Sequence, residues 1–236
     1  MVESEILIGG FTPFTTIDFP DHFAAVVFMQ GCLWRCPFCH NGHLQRCHKQ
    51  EGDEKITWQD ITDFLVKRKN RIDGLVFSGG EPLVQPAIFM AVQEVKNLGF
   101  KVALHTGGGN PEALAKILPF VDWVGLDIKS PEHLYKTMTG GFGDFDKVMQ
   151  SLDMLLKSGI DFETRTTVYP KYLGENEIRE IAKELYSRGV KKYVLQEYRP
   201  LSNNEDNLEK KSNLFKNKAF LDEMSGLFEF FSVRES

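Results

Sequence analysis

Ala24-Ala25-Val26-Val27-Phe28-Met29-Gln30, followed at once by Gly31-Cys32-Leu33-Trp34-Arg35-Cys36-Pro37-Phe38-Cys39-His40-Asn41, is the stretch on which the reading of this chain turns. The apolar run reads as a strand covered on both faces, as in a parallel sheet. The loop at its C-terminal end gathers three of the chain's four cysteines. Thiolates crowded in this way suit a metal centre, and iron–sulfur clusters are held by cysteine thiolates. Three ligands are one short of a closed site, and an unfilled position is where substrate binds at a catalytic metal. Cys32, Cys36 and Cys39 are therefore the candidate metal ligands and the candidate catalytic centre. Two other readings share the spacing. A structural zinc knuckle could draw further ligands from His40, His43, Cys47 and His48. Cys36-Pro37-Phe38-Cys39-His40 also fits the pattern for covalent haem attachment. That chemistry belongs to exported proteins, and Met1-Val2-Glu3-Ser4-Glu5 opens acidic with no apolar core, so no export signal is expected.

Outward from this loop, a strand–loop–helix unit repeats. Residues 74–77 read as a buried strand, followed by Ser78-Gly79-Gly80-Glu81-Pro82 and a helix over 86–98 closed by Gly99. Residues 101–105 are the next strand, followed by Thr106-Gly107-Gly108-Gly109-Asn110 and a helix that opens at Pro111. A strand over 121–127 runs into Ile128-Lys129-Ser130, and a helix over 145–157 ends at Gly159. A fifth strand covers 162–169, a helix 176–188 ends at Gly189, and a sixth strand covers 192–197. Upstream, residues 6–20 mix glycine and proline with apolar residues and suggest a short strand or hairpin. Gly42 and Gly52-Asp53 signal turns, and Thr57 caps a helix over 58–69 with Ile61, Phe64 and Leu65 on one face. This alternation implies βαβ units and a parallel sheet with right-handed crossovers. Six units predict a partial, open (β/α)6 barrel of the TIM type; a doubly wound sheet is the alternative. The barrel is expected to occupy residues 1–200. Residues 201–236 are expected to form a C-terminal extension on or near it, with a polar, mobile first part. For 219–233 the pattern leaves helix and strand open.

Composition narrows the class. The chain has 236 residues, 42% hydrophobic and 26% charged, ordinary for one α/β domain. A net charge of −5 gives no bulk attraction for nucleic acid. No apolar stretch approaches a membrane span. Few, clustered cysteines argue for a reducing compartment, so a cytoplasmic protein is expected. An exposed cluster would be sensitive to oxygen, which points to anaerobic chemistry.

In barrels of this type the chemistry sits at the C-terminal ends of the strands. That rule collects the cysteine loop, residues 78–82, residues 106–110, Asp127-Ile128-Lys129 and the end of the fifth strand near Arg165 on one rim. Gly79 and Gly80 would let backbone approach a ligand closely, and Glu81 could hold an ammonium group. The three glycines at 107–109 are explained equally by a flexible turn. Asp127 and Lys129 are expected to splay apart at the strand end. Arg165 either faces out or, facing in, needs an anionic partner.

These motifs together resemble the radical S-adenosylmethionine (SAM) superfamily. Cys32-x-x-x-Cys36-x-Phe38-Cys39 is similar to its cysteine signature, and Ser78 to Pro82 to its methionine-binding loop. Gln30-Gly31-Cys32, Arg35-Cys36, Cys39-His40-Asn41, Gln85, Leu126-Asp127-Ile128-Lys129 and Thr139-Gly140 resemble the glycyl-radical-enzyme activases. Gly9-Gly10-Phe11-Thr12 through Asp18-Phe19-Pro20 looks most like the activating proteins of class III anaerobic ribonucleotide reductase. The resemblance runs over about 8–200. It implies a [4Fe–4S] cluster on Cys32, Cys36 and Cys39, with SAM chelating the open iron. It implies that Gly79, Gly80 and Glu81 meet the methionyl amine, that Phe38 borders the adenine, and that Asp127, Lys129 and Arg165 hold ribose or carboxylate groups. His40, Asn41, Ser78 and Thr106 would stand beside the cofactor. A 5′-deoxyadenosyl radical would then take a hydrogen from a glycine of a partner glycyl radical enzyme. A flavodoxin- or ferredoxin-type protein would supply the electron, and neither nucleic acid nor membrane would be a partner. With only Cys47 left over, one cluster is expected. Where some activases carry an Asp-Thr cation site, this chain has His105-Thr106, which puts that site in doubt. A radical SAM enzyme acting on a small molecule, such as a deazaguanine-forming synthase, and a zinc-stapled binding module are the competing readings.

Overall fold

The computed structural model describes residues 6–48, 55–199 and 212–235. The turn expected at Gly52-Asp53 and most of the polar segment after Pro200 lie outside them. Among the described residues, eight strands form a single sheet in chain order: β1 (Ile8–Thr15), β2 (Ala24–Met29), β3 (Gly74–Gly79), β4 (Lys101–Thr106), β5 (Trp123–Asp127), β6 (Asp161–Val168), β7 (Lys192–Glu197) and β8 (Phe230–Arg234). β1 runs antiparallel to β2, and every later pairing is parallel. A doubly wound sheet reverses its strand order at a switch point. This order never reverses, so the crossovers all curl the same way and the sheet is an open barrel. β1 and β8 form its two edges. The six expected strands are β2 to β7. The C-terminal segment supplies both a helix and a strand, so β8 continues the sheet next to β7.

The helices are α1 (Trp58–Lys67), α2 (Ile88–Asn97), α3 (Pro111–Ile117), α4 (Glu132–Met138), α5 (Phe145–Ser158), α6 (Glu175–Ser187) and α7 (Lys218–Ser225). Their ends follow local chemistry. Thr57 and Asp60 form a reciprocal capping box on α1, Asn110 caps α3, and Asp144 caps α5. α4 was not expected. It is only seven residues long and opens after Pro131 with no side-chain cap, so the sequence carried little signal for it.

Strand residues alternate between two environments. Ala25, Val27, Phe77, Leu104, Val124 and Leu126 face outward and join the helices in the main core. Ala24, Val26, Val76, Ala103 and Trp123 face inward and, with Phe19 from the β1–β2 connection, form a small apolar plug inside the barrel. Further along the same inward faces stand His105, Asp127, Glu163 and Arg165. The lumen is therefore apolar at its floor and charged toward the C-terminal rim.

Candidate functional site

Two loops are locked together on that rim. The parallel register pairs Met29 with Gly79, so the chain leaves β2 and β3 side by side. Gly80 N–H donates to Met29 O at 2.9 Å and Glu81 N–H to Gly31 O at 2.8 Å. Gly79 has φ +112°, and a Cβ there would lie 2.4 Å from Met29 N. Backbone thus lies against backbone at both glycines, where the sequence predicts the approach of a ligand. Asn41 extends its amide toward Gly79 O, at 3.5 Å, and Ser78 lies opposite Phe28 in the ladder. Gln85 ties the rim down: its amide donates to Leu7 O and Gln30 O and accepts from Leu7 N–H.

Glu81 is the best-held carboxylate in the site. Its Oε1 accepts from the Thr106 hydroxyl at 2.6 Å and from Leu83 N–H at 3.2 Å, and Oε2 accepts from Gly107 N–H at 2.8 Å. Burial nonetheless keeps its pKa above the usual range. The Thr106 hydroxyl is thus engaged by Glu81 and by Gly108 N–H, which makes Thr106 an orienter of the carboxylate.

Cys32, Cys36 and Cys39 are partly exposed free thiols in the adjoining loop. Cys39 N–H donates to Cys36 O at 3.2 Å, closing a tight turn between the second and third cysteines. Burial pushes the thiol of Cys32 up to about 12, with Glu81 adding to it, and that of Cys36 up to about 11. Coordination to a metal deprotonates a thiol outright. Among the described residues, no three His, Cys, Asp or Glu side chains converge on a single-ion position. A cubane spreads its thiolates more widely than one ion does, and an all-thiol donor set is the chemistry of iron–sulfur ligation. The loop fits such a cluster.

Asp127 and Lys129 do not splay. Residues two apart on a strand share a face, and Lys129 Nζ bonds Asp127 Oδ2 at 2.7 Å. Burial opposes the charge on both. Lys129 and Arg165 still hold Asp127 below its usual value, and Asp127, then Cys36, hold Lys129 above its own. Arg165 faces inward and is 5% exposed. Its guanidinium lies 4.9 Å above the Trp123 ring, over Gly125, where a Cβ would be 2.5 Å from Arg165 Cζ. The anionic partner it needed is Glu163, two residues earlier on the same strand, at 2.7 Å. Arg234 from β8 reaches the same carboxylate at 2.8 Å. His105 lies beside them, its Nε2 2.8 Å from Asp18 O. Burial, then Arg165, pushes its pKa down to about 3, so the ring is neutral. Phe38 is buried, with Lys129 Nζ 5.8 Å above its ring and Tyr169 on its other contact. His40 is exposed, its ring edge-on to Tyr198.

Sequence reasoning missed Trp34, Glu163 and Arg234. Trp34 explains two of the three glycines: a Cβ at Gly107 would lie 2.3 Å, and one at Gly109 2.8 Å, from its indole. The signal was present as a tryptophan inside the cysteine loop and glycines where a ring must pass. A cavity of about 700 Å³ opens outward from Cys32 and Glu81, lined by Trp34, Asn110 and Lys147. Asp127, Lys129 and Arg165 stand apart from it, on the lumen side.

Residues 26–185 match the family model described as the Radical SAM superfamily. The protein of Methanocaldococcus jannaschii named "Putative glycyl-radical enzyme activating enzyme MJ1227" is 32% identical over 201 residues, covering 82% of this chain and 80% of its own. The pyruvate formate-lyase-activating enzyme of Clostridium pasteurianum is 32% identical over 191 residues, 76% of each chain. Among solved structures, Streptococcus suis SuiB bound to precursor peptide SuiA superposes with a TM-score of 0.67 at 14% identity over 88% of this chain, which spans about half of SuiB, at 48%. QueE from Escherichia coli gives 0.54 at 16% identity, covering 84% and 85%. At such identities these two show the fold alone, and that fold is the partial barrel. A trio of thiols beside a buried glycine–glutamate loop, on a barrel of this kind and in a chain with these relatives, leaves one assignment: this protein belongs to the radical SAM superfamily, among its glycyl-radical-enzyme activating enzymes, and uses a [4Fe–4S] cluster and S-adenosylmethionine.

Proposed function

We propose that this enzyme generates the glycyl radical of a class III anaerobic ribonucleotide reductase. The observation that carries the chemistry is the direct backbone contact between the Cys32 loop and the Glu81 loop. It would seat a cluster on Cys32, Cys36 and Cys39 beside a carboxylate suited to an ammonium group. When bound, the cluster would supply one electron and SAM a C–S bond to cleave, together the source of the radical that would take a hydrogen from a glycine Cα. The chain's own residues do the placing. Glu81, oriented by Thr106 and Gly107, would accept from the methionyl amine, where an ammonium offsets the burial of its charge. Gly79 and Gly80 let the two loops close against each other, which would bring Glu81 to that amine. Lys129 and Arg165 would meet the carboxylate, Asp127 a ribose hydroxyl, and Phe38 would border the adenine, with His40, Asn41 and Ser78 lining the approach.

The choice of partner rests on the segment from Gly9 to Pro20, which resembles the reductase activators; the activase relatives support only that the partner is a glycyl radical enzyme. A flavodoxin- or ferredoxin-type donor and a cytoplasmic location accompany this reading. Among the described residues, no helix is long and apolar enough to cross a membrane. The test incubates the reduced, reconstituted protein with SAM and the candidate reductase and looks for a glycyl radical by EPR. A doublet on the reductase, with stoichiometric deoxyadenosine, is the expected result. Deoxyadenosine without a radical on any glycyl radical enzyme offered would overturn it and favour a small-molecule substrate.

A further inference from the structure

Tyr135, on α4, is 1% exposed, and its ring meets the edge of Trp34 at 6.1 Å and of Phe145 at 5.4 Å. The end of α4 is clamped to the cysteine loop. Arg35 N–H donates to Thr139 O at 3.0 Å, and a Cβ on Gly140 would lie 2.6 Å from Arg35 O. The tyrosine is thereby fixed against the residues that flank Cys36. Its hydroxyl is buried and has no hydrogen-bond partner among the described residues. Such a group normally finds one. The charges that act on it are those of Lys129, Cys36 and Asp127. The Lys129 ammonium is engaged by Asp127. The hydroxyl proton has no acceptor among the described residues, and Cys36 is the one cysteine among the groups whose charges act on it.

We propose that the Tyr135 hydroxyl donates a hydrogen bond to cluster sulfur at Cys36 and so raises the reduction potential of the cluster. The proposal rests on the assignment of Cys36 as a cluster ligand. A hydrogen bond to sulfur favours the reduced, more negative state, and hydrogen bonds to the sulfurs are among the determinants of cluster potential. Tyr135 is then a positioning residue for electron entry, acting through the cluster alone.

Tyr135→Phe keeps the ring contacts and removes only the donor. The full-length variant is reconstituted anaerobically, its iron and sulfide are counted, and its potential is titrated by EPR without SAM. The reduced form is expected to be disfavoured about tenfold, a shift of about 59 mV to more negative potential for a one-electron couple. The Fe–S(Cys) stretching bands in resonance Raman should move up and lose their sensitivity to deuterated solvent. A fully loaded variant with an unmoved potential would overturn the proposal. Full cluster loading in Cys36→Ala, which offers iron no ligand, would instead overturn the ligand assignment. Should the phenylalanine variant fail to load, 3-fluorotyrosine at position 135, a stronger donor, must raise the potential above wild type, and no change there would equally count against it.

Discussion

Gly80 shows how one missing side chain can hold a site together. A Cβ there would lie 2.3 Å from Gly31 O, 2.8 Å from its carbonyl carbon and 2.9 Å from Leu44 O, all of them backbone atoms that no rotamer change relieves. Gly80→Ala must therefore push the cysteine loop away from Glu81. It is expected to cost about 1–3 kcal/mol in urea unfolding, as overpacking does, and to lower iron content after reconstitution. Unchanged iron would show that the two loops are not locked. His105 makes a prediction with a sign. Its folded pKa is depressed to about 3 from an ordinary value of 6.5, so below pH 6.5 the unfolded chain takes up a proton that the folded chain refuses. Its contribution to stability is fully present above pH 6.5 and drains away as pH falls toward 3, with a slope approaching about 1.4 kcal/mol per pH unit. His105→Gln should be less stable than wild type at pH 7, where the contact with Asp18 O is lost, yet lose less further stability between pH 6 and 4. Parallel stability curves would show that the imidazole is not held neutral.

At the scale of elements, the sequence is legible wherever a periodic signal reaches the length of an element. β2 to β7 and the longer helices announce themselves through buried apolar runs and glycine stops such as Gly159, with φ +75°. The site was legible for a different reason: cysteines and glycines have few other uses at such spacing. What the sequence concealed were relations across elements. Nothing local says that Glu163 answers Arg165, since both could face either way on β6, or that Gly107 and Gly109 give way to a ring 73 and 75 residues upstream. The contact of Trp34 with the β4–α3 loop can be tested as a coupling. Gly107→Ala would displace an indole that sits between Cys32 and Cys36, and iron retention is expected to drop. Trp34→Phe, a smaller ring, should restore part of it in the double variant, giving a coupling energy of about 0.5–3 kcal/mol in unfolding, as for side chains in contact. Additive losses would mean that the ring and the glycine do not sense each other.

The molecule as a whole is a barrel left open, and its last strand reaches back into the lumen. β8 pairs Arg234 with Gln196 on β7, but the Arg234 guanidinium passes on to Glu163 on β6 at 2.8 Å and 3.0 Å. Glu163 is 3% exposed and stands between two arginines. The C-terminal strand thus helps to fix the carboxylate that fixes Arg165, and the proposed SAM floor depends on residues far apart in the chain. The two halves of this bridge should not cost the same. Arg234 is 36% exposed, so water screens it, and its loss in Arg234→Ala still leaves Glu163 paired; about 1 kcal/mol is expected. Glu163→Gln strips the buried Arg165 of its counter-charge and should cost about 3 kcal/mol or more. Both variants should weaken SAM binding in equilibrium dialysis with reconstituted protein, Glu163→Gln more than Arg234→Ala. If Arg234→Ala proves the costlier in urea unfolding, the carboxylate is held mainly from β8, and Arg165 owes its position to Trp123 and Gly125 instead.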